Sequence, residues 1–64
     1  MIYVYVPVEY LNMQDSIIGI AMTPNIDISQ WLDVHKDKCY FDSYRLCVVF
    51  TDKDLAIEFR LRWL

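Results

Sequence analysis

His35, Asp33, Asp37, Cys39 and Cys47 are the residues of this chain whose types and closeness could do chemistry. An imidazole with carboxylates two residues away on either side could serve as a general base. The same imidazole with both thiols could hold zinc. Neither pattern is complete. Structural zinc takes four ligands, usually in closely spaced pairs, whereas Cys39 and Cys47 stand far apart and His35 is the one histidine. A general base also needs a nucleophile or a substrate cradle, and the lone glycine, Gly19, makes no phosphate-binding loop. A chain of 64 residues leaves little room for a pocket of ~300 Å³ or more. The residues read as a helix-end histidine and two small buried hydrophobes. No catalytic residue, no metal and no cofactor is expected, and the chain is not read as an enzyme.

Tyr3 and Tyr5 alternate outward from the first apolar run. Paired aromatics on a sheet face are how small α+β modules stack single-stranded bases. Such platforms are flanked by cations, yet residues 1–35 contain four acidic residues and no Lys or Arg. The rest carries six basic against five acidic residues, for a net charge of −3. A net acidic chain gains nothing from counterion release on a phosphate backbone, which argues against duplex nucleic acid. The same sign is repelled by anionic lipid. The longest uncharged run, Ser16 to Ile26, falls short of the ~20 residues of a membrane helix. With Lys36 the first basic residue, no secretory leader is expected. Two cysteines do not make a dense disulfide framework, so they read as reduced thiols in the cytoplasm.

The elements that must position these residues belong to one domain, residues 1–64. Ile2, Val4, Val6 and Val8 alternate with Tyr3, Tyr5 and Pro7, a strand near 2–8. Pro7 cannot donate to a ladder, which makes this an edge strand. Leu11 to Asp15 reads as a turn. A second strand near 16–22 returns as a hairpin, with Gly19 marking a bulge or a close contact. Asp27 followed by Gln30 fits an N-cap and its box partner. Ile28, Trp31, Leu32 and His35 then share one helical face, over about 28–36. Tyr44 to Phe50 is the clearest strand and, being wholly apolar from Leu46 on, the central one.

Residues 55–63 fit two periods. Leu55, Ile57, Phe59, Leu61 and Trp63 alternate as in a half-buried strand. Against this, Thr51 and Asp54 outline a capping box, and Asp52, Asp54, Arg60 and Arg62 sit where a helix dipole favours their charges. A helix near 53–62 is preferred. The fold class is therefore α+β: a three-stranded, mainly antiparallel sheet with two helices on one face, in the order β-β-α-β-α.

The stretch from Phe50 to Trp63, Phe-Thr-Asp-Lys-Asp-Leu-Ala-Ile-Glu-Phe-Arg-Leu-Arg-Trp, resembles the ending of small bacteriophage-encoded proteins of unassigned function. These carry a strand ending in Phe, an acidic helix start and a terminal Phe-x-Leu-Arg-Trp. The resemblance covers the last part of the chain only. It implies a viral origin and a helical ending, and it carries over no catalytic residue.

The apolar fraction, 56%, is high for so short a chain. Small domains bury only ~60% of their unfolded surface, so large apolar side chains must remain outside. Monomers avoid wide apolar patches, and aromatics concentrate at interface cores. Tyr3, Tyr5, Ile57, Leu61 and Leu64 are the interface candidates, with Trp31 and Trp63 as anchors. A homodimer or higher oligomer burying Ile57, Leu61 and Leu64 is expected, with Glu58 of one copy near Arg62 of the other. The function expected is that of a small protein-binding protein that modulates or inhibits a host protein. The alternatives are a self-assembling structural or virion accessory protein, and a single-stranded nucleic-acid-binding module using Tyr3 and Tyr5.

Overall fold

The computed structural model describes residues 1–16 and 19–64. The chain runs through β1 (Ile2–Tyr5), a single 3-10 turn (Val8–Tyr10), β2 (Leu11–Ser16), β3 (Gly19–Pro24), α1 (Ile26–Val34), β4 (Cys39–Asp42), β5 (Cys47–Phe50) and α2 (Lys53–Trp63). β1, β5 and β4 form one antiparallel sheet in that order, and β2 pairs with β3 in a separate two-stranded sheet. The α+β class, with a three-stranded antiparallel sheet and two helices, is as expected. Among the described residues the strands number five rather than three.

β5 is central because all four of its residues are apolar and buried. β1 is an edge, as expected, although Pro7 lies beyond its end. Its strand is shorter than 2–8, since the chain turns after Pro7 and Tyr10 donates its N–H to the Pro7 carbonyl at 3.0 Å. The expected turn at 11–15 is instead strand β2. Asn12, Gln14 and Asp15 are poor strand formers, but each is fixed by a partner in β3, with Met13 opposite Met22. The expected strand 16–22 therefore pairs with 11–16 and not with β1; its residues 17 and 18 lie outside the described residues. Gly19 has φ of +136°, and a Cβ built there meets nothing within 4 Å among the described residues. Its backbone angle, rather than a close contact, suits it to that position.

The strand expected at 44–50 begins only at Cys47. The Asp42 carboxylate accepts the N–H of Tyr44 at 2.9 Å and of Arg45 at 3.2 Å, which folds residues 43–46 into a turn and leaves Leu46 at φ +56°. That turn joins β5 to β4, a strand the period-two reading passed over because Cys39–Asp42 is only four residues long.

Both helices pack on one face of the sheet. Val4, Val48, Phe50 and Cys39 meet Ile28 and Leu32 of α1 and Ala56 and Phe59 of α2 in a single core. The rings of Phe50 and Phe59 lie 5.6 Å apart, and Trp31 sits 5.4 Å from Phe59 and edge-on to Trp63 at 5.6 Å. Residues 53–63 are helix, not strand: Ala56 and Phe59 are buried three residues apart while Ile57 and Leu61 are exposed, which no period of two allows.

Both helix starts differ from expectation. The α1 cap is Asn25, whose side chain accepts the Ile28 N–H at 2.9 Å, so Asp27 lies inside the first turn. The α2 cap is Asp52, which accepts the Asp54 N–H at 2.9 Å; Thr51 instead donates both N–H and hydroxyl to the Lys38 carbonyl. Asn25→Ala should therefore lower stability by about 1 kcal/mol. Asp27→Ala, which removes only a favourable first-turn charge, should cost about 0.3 kcal/mol. Urea unfolding of the two variants checks the order, and the reverse order would restore Asp27 as the cap.

Candidate functional site

β-strand parity divides the side chains of the three-stranded sheet between two faces. The even residues of β1 point to the helices. The outer face carries two cross-strand rows, Tyr3–Val49–Tyr40 and Tyr5–Cys47–Asp42. Val49 and Cys47 are buried between their neighbours from the edge strands, whereas Tyr3, Tyr5 and Tyr40 are 48%, 67% and 55% exposed. Tyr44, on the turn between β4 and β5, is almost wholly in solvent. The Arg45 guanidinium lies 5.4 Å from the Tyr3 ring centre and 4.0 Å from the Asp42 carboxylate. An exposed ion pair of this kind contributes ~0–1 kcal/mol. It does neutralise Asp42 locally, so the face presents four phenols and almost no net charge.

Tyr3 and Tyr5 are thus together on an open face, with Tyr40 and Tyr44 added. Sequence reasoning missed Tyr40 because 39–42 was not read as a strand, and Tyr44 because it was read as the first residue of the strand 44–50, where the structure has a turn. The alternation of Cys39, Tyr40, Phe41 and Asp42 ahead of the Asp-Ser turn signal was the available sign.

Trp31 and Trp63 lie elsewhere. They are half-buried against the core and form one wall of a cleft of about 470 Å³ between α1 and α2, larger than expected for a chain of this length, with Asp27, Gln30, Val34 and Arg62. Arg62 already lies over the Trp63 ring at 5.1 Å, so the cleft holds its own cation. Ile57, Leu61 and Leu64 are exposed on a third surface, the flank of α2. The seven interface candidates accordingly fall on three separate surfaces.

The residues that could do chemistry are parted. Cys39 shares the helix-side face with Phe50, its ladder partner, while Cys47 lies on the outer face. Both thiols are free and buried. Burial, and then the nearby Asp37, pushes the Cys39 thiol up from its ordinary range. Burial, and then Asp42, does the same for Cys47. A raised thiol stays protonated at neutral pH and is neither a nucleophile nor a ready ligand. His35 Nδ1 lies 2.9 Å from the Trp31 carbonyl, and its ring is 4.4 Å from the indole. Its contacts are therefore to Trp31 rather than to Asp33 or Asp37. Among the described residues no three His, Cys, Asp or Glu side chains stand close enough together to hold a metal ion. No helix among the described residues is long and apolar enough to cross a membrane. Comparison of the chain with protein-family models, curated proteins and solved structures finds no match.

Proposed function

We propose that this chain is a small non-catalytic protein-binding protein, encoded by a bacteriophage, that modulates or inhibits a host protein in the host cytoplasm. Its recognition surface is the outer face of the β1–β5–β4 sheet. One observation carries the reading: three tyrosines stand exposed on a sheet face that bears no helix, with a fourth at its margin. Tyrosine supplies wide amphipathic contact while freezing only two side-chain torsions, and it is enriched where proteins bind each other most strongly. The phage origin is drawn from the resemblance of residues 50–63.

A second reading, binding of single-stranded nucleic acid, draws support from Arg45 beside Tyr3. Stacking surfaces of that kind also need cations along the strand. Arg45 is shared with Asp42, and residues 1–35 supply no Lys or Arg, so the protein reading is favoured. The self-assembling alternative would show as a large closed particle in light scattering.

The test is affinity capture from host lysate with the wild type and with Tyr5→Ser/Tyr40→Ser. Both side chains are exposed, so the double variant should stay folded. The expected result is one stoichiometric partner held by the wild type and lost by the variant. Capture unaffected by the substitutions, or none at all, overturns the proposal. A labelled oligonucleotide bound by the wild type and not by the variant would install the second reading in its place.

A further inference from the structure

We infer that two copies of this chain join edge to edge through β1, making one continuous six-stranded antiparallel sheet, with the exposed stripes of α2 meeting on its helix side. The inference concerns a different surface from the tyrosine face and does not depend on a host partner.

The hydrogen-bond phase of the sheet is the first ground. Val6 donates its N–H to the Leu46 carbonyl at 3.1 Å. Antiparallel ladders alternate, so Val4 and Ile2 also bond toward β5, while the N–H and C=O of Tyr3 and Tyr5 point outward from the edge. Exposed edges of this kind are normally guarded by charge, proline or a covering loop. The other edge is guarded. Its Cys39 N–H is taken by the His35 carbonyl at 3.1 Å, and Lys36, Asp37, Lys38 and Asp42 flank it. Residues 1–8 hold no charged side chain, and the single guard, Pro7, lies beyond the strand's end.

A two-fold axis beside Val4 sets Tyr3 opposite Tyr5 of the second copy, and Tyr5 opposite Tyr3. Each of these two pairs exchanges two main-chain hydrogen bonds. Val4 then meets its own copy on the helix side. Pro7 lacks an N–H and ends the ladder there.

The flank of α2 is an independent second ground. α2 packs over β1 and β5, while α1 packs over β4. Around α2, Ala56 and Phe59 face the sheet and Arg62 turns toward α1, where it lines the shared cleft. At ~100° per residue, Leu64 and Ile57 turn to the opposite flank, on the side of the free edge of β1, while Leu61 points away from the sheet at the stripe's outer margin. Strands lie ~4.8 Å apart, so a helix seated between β1 and β5 is about one spacing from an axis at the β1 edge. The two copies of α2 then run about 10 Å apart, the separation of packed helices. One axis thus completes the ladder and covers the stripe. In this arrangement Arg62 is on the far flank, away from Glu58 of the other copy, so the pair would not form a bridge across this axis. Lys53 and Arg60 share the stripe's side, where long stems can cover apolar neighbours while their charges reach water.

Sedimentation equilibrium on the full chain, with Tyr5→Pro and Ile57→Glu, tests this. Tyr5→Pro removes an outward N–H and no bond to β5. Ile57 is 46% exposed and lies outside the core, so its change leaves the core alone. The wild type should weigh twice 7.7 kDa and both variants 7.7 kDa, with unchanged circular dichroism. Should a variant unfold, amide exchange of the wild type decides: Tyr3 and Tyr5 amides protected at high concentration and released on dilution. A wild type monomeric at ~100 μM, a dimer that survives Tyr5→Pro, or Tyr3 and Tyr5 amides exchanging freely at every concentration overturns the inference.

Discussion

Phe59→Ala is expected to leave most of the chain unfolded at room temperature. Phe59 is buried to 1% exposure, and its ring lies 5.0 Å from Trp63, 5.4 Å from Trp31 and 5.6 Å from Phe50. Removing it empties the point where both helices and the central strand meet. Truncations of this type cost ~3–5 kcal/mol, the lost transfer energy plus that of the cavity left behind. A core built from so short a chain rarely supplies more than ~3–5 kcal/mol in total. The loss is therefore as large as the stability itself. Leu61→Ala, on the solvent flank of the same helix, should change stability of the separated chain by no more than ~0.5 kcal/mol. Urea unfolding followed by tryptophan fluorescence compares the two. A cooperative Phe59→Ala transition shifted by less than ~1 kcal/mol would mean that Phe59 is not at the centre of the core.

The second large effect is protection of the thiols. Cys47 is fully buried and Cys39 nearly so, and Cys39 Sγ–H also donates to the His35 carbonyl at 3.4 Å. Alkylation needs a thiolate in contact with the reagent, and the fold denies both requirements. Reaction then waits for unfolding, and each ~1.4 kcal/mol of stability slows it tenfold. At pH 8, iodoacetamide should modify the native chain at least ~100-fold more slowly than the chain in urea, if ~3 kcal/mol separates the states. Equal rates would place the cysteines at the surface. The pH dependence has a definite sign. Both folded thiols titrate above the unfolded value of ~8.5, so below that pH both states are protonated and the contribution is complete. As pH rises past ~8.5 the unfolded chain ionises first, and stability falls until the folded thiols follow. Cys39→Ala/Cys47→Ala should remove that part of the alkaline loss.

Local patterns determined a good deal. Alternation in residues 2–6 and the apolar run 47–50 mark strands, because one face of the first and both faces of the second must leave water. Pro7 pointed to an edge, since a missing N–H has no place inside a sheet, and β1 is an edge although it ends two residues before the proline. The charges of Asp52, Asp54, Arg60 and Arg62 favour a helix that apolar alternation alone would have made a strand. Tyr3, Tyr5, Ile57, Leu61 and Leu64 were legible as outward-facing once these elements were recognised.

Other features were decided only by the tertiary structure. Asn12, Gln14 and Asp15 do not announce a strand by type and are held in one by main-chain pairing with β3. β4 is too short to declare a period and exists because β5 offers a second open side. Asp42 overrides the apolar pattern of 44–46 by accepting two main-chain N–H groups, a bond that no periodicity records. Trp31 and Trp63, read as anchors for a partner, meet each other because both helices fall on one face. The tyrosine platform has the same origin: once both helices crowd onto the even-numbered side of β1, the odd-numbered side is left to Tyr3, Tyr5 and, across the sheet, Tyr40. Pattern fixes which way a side chain points within its own element, whereas the surface it joins depends on which elements pack together, and that is settled by burial of the whole core.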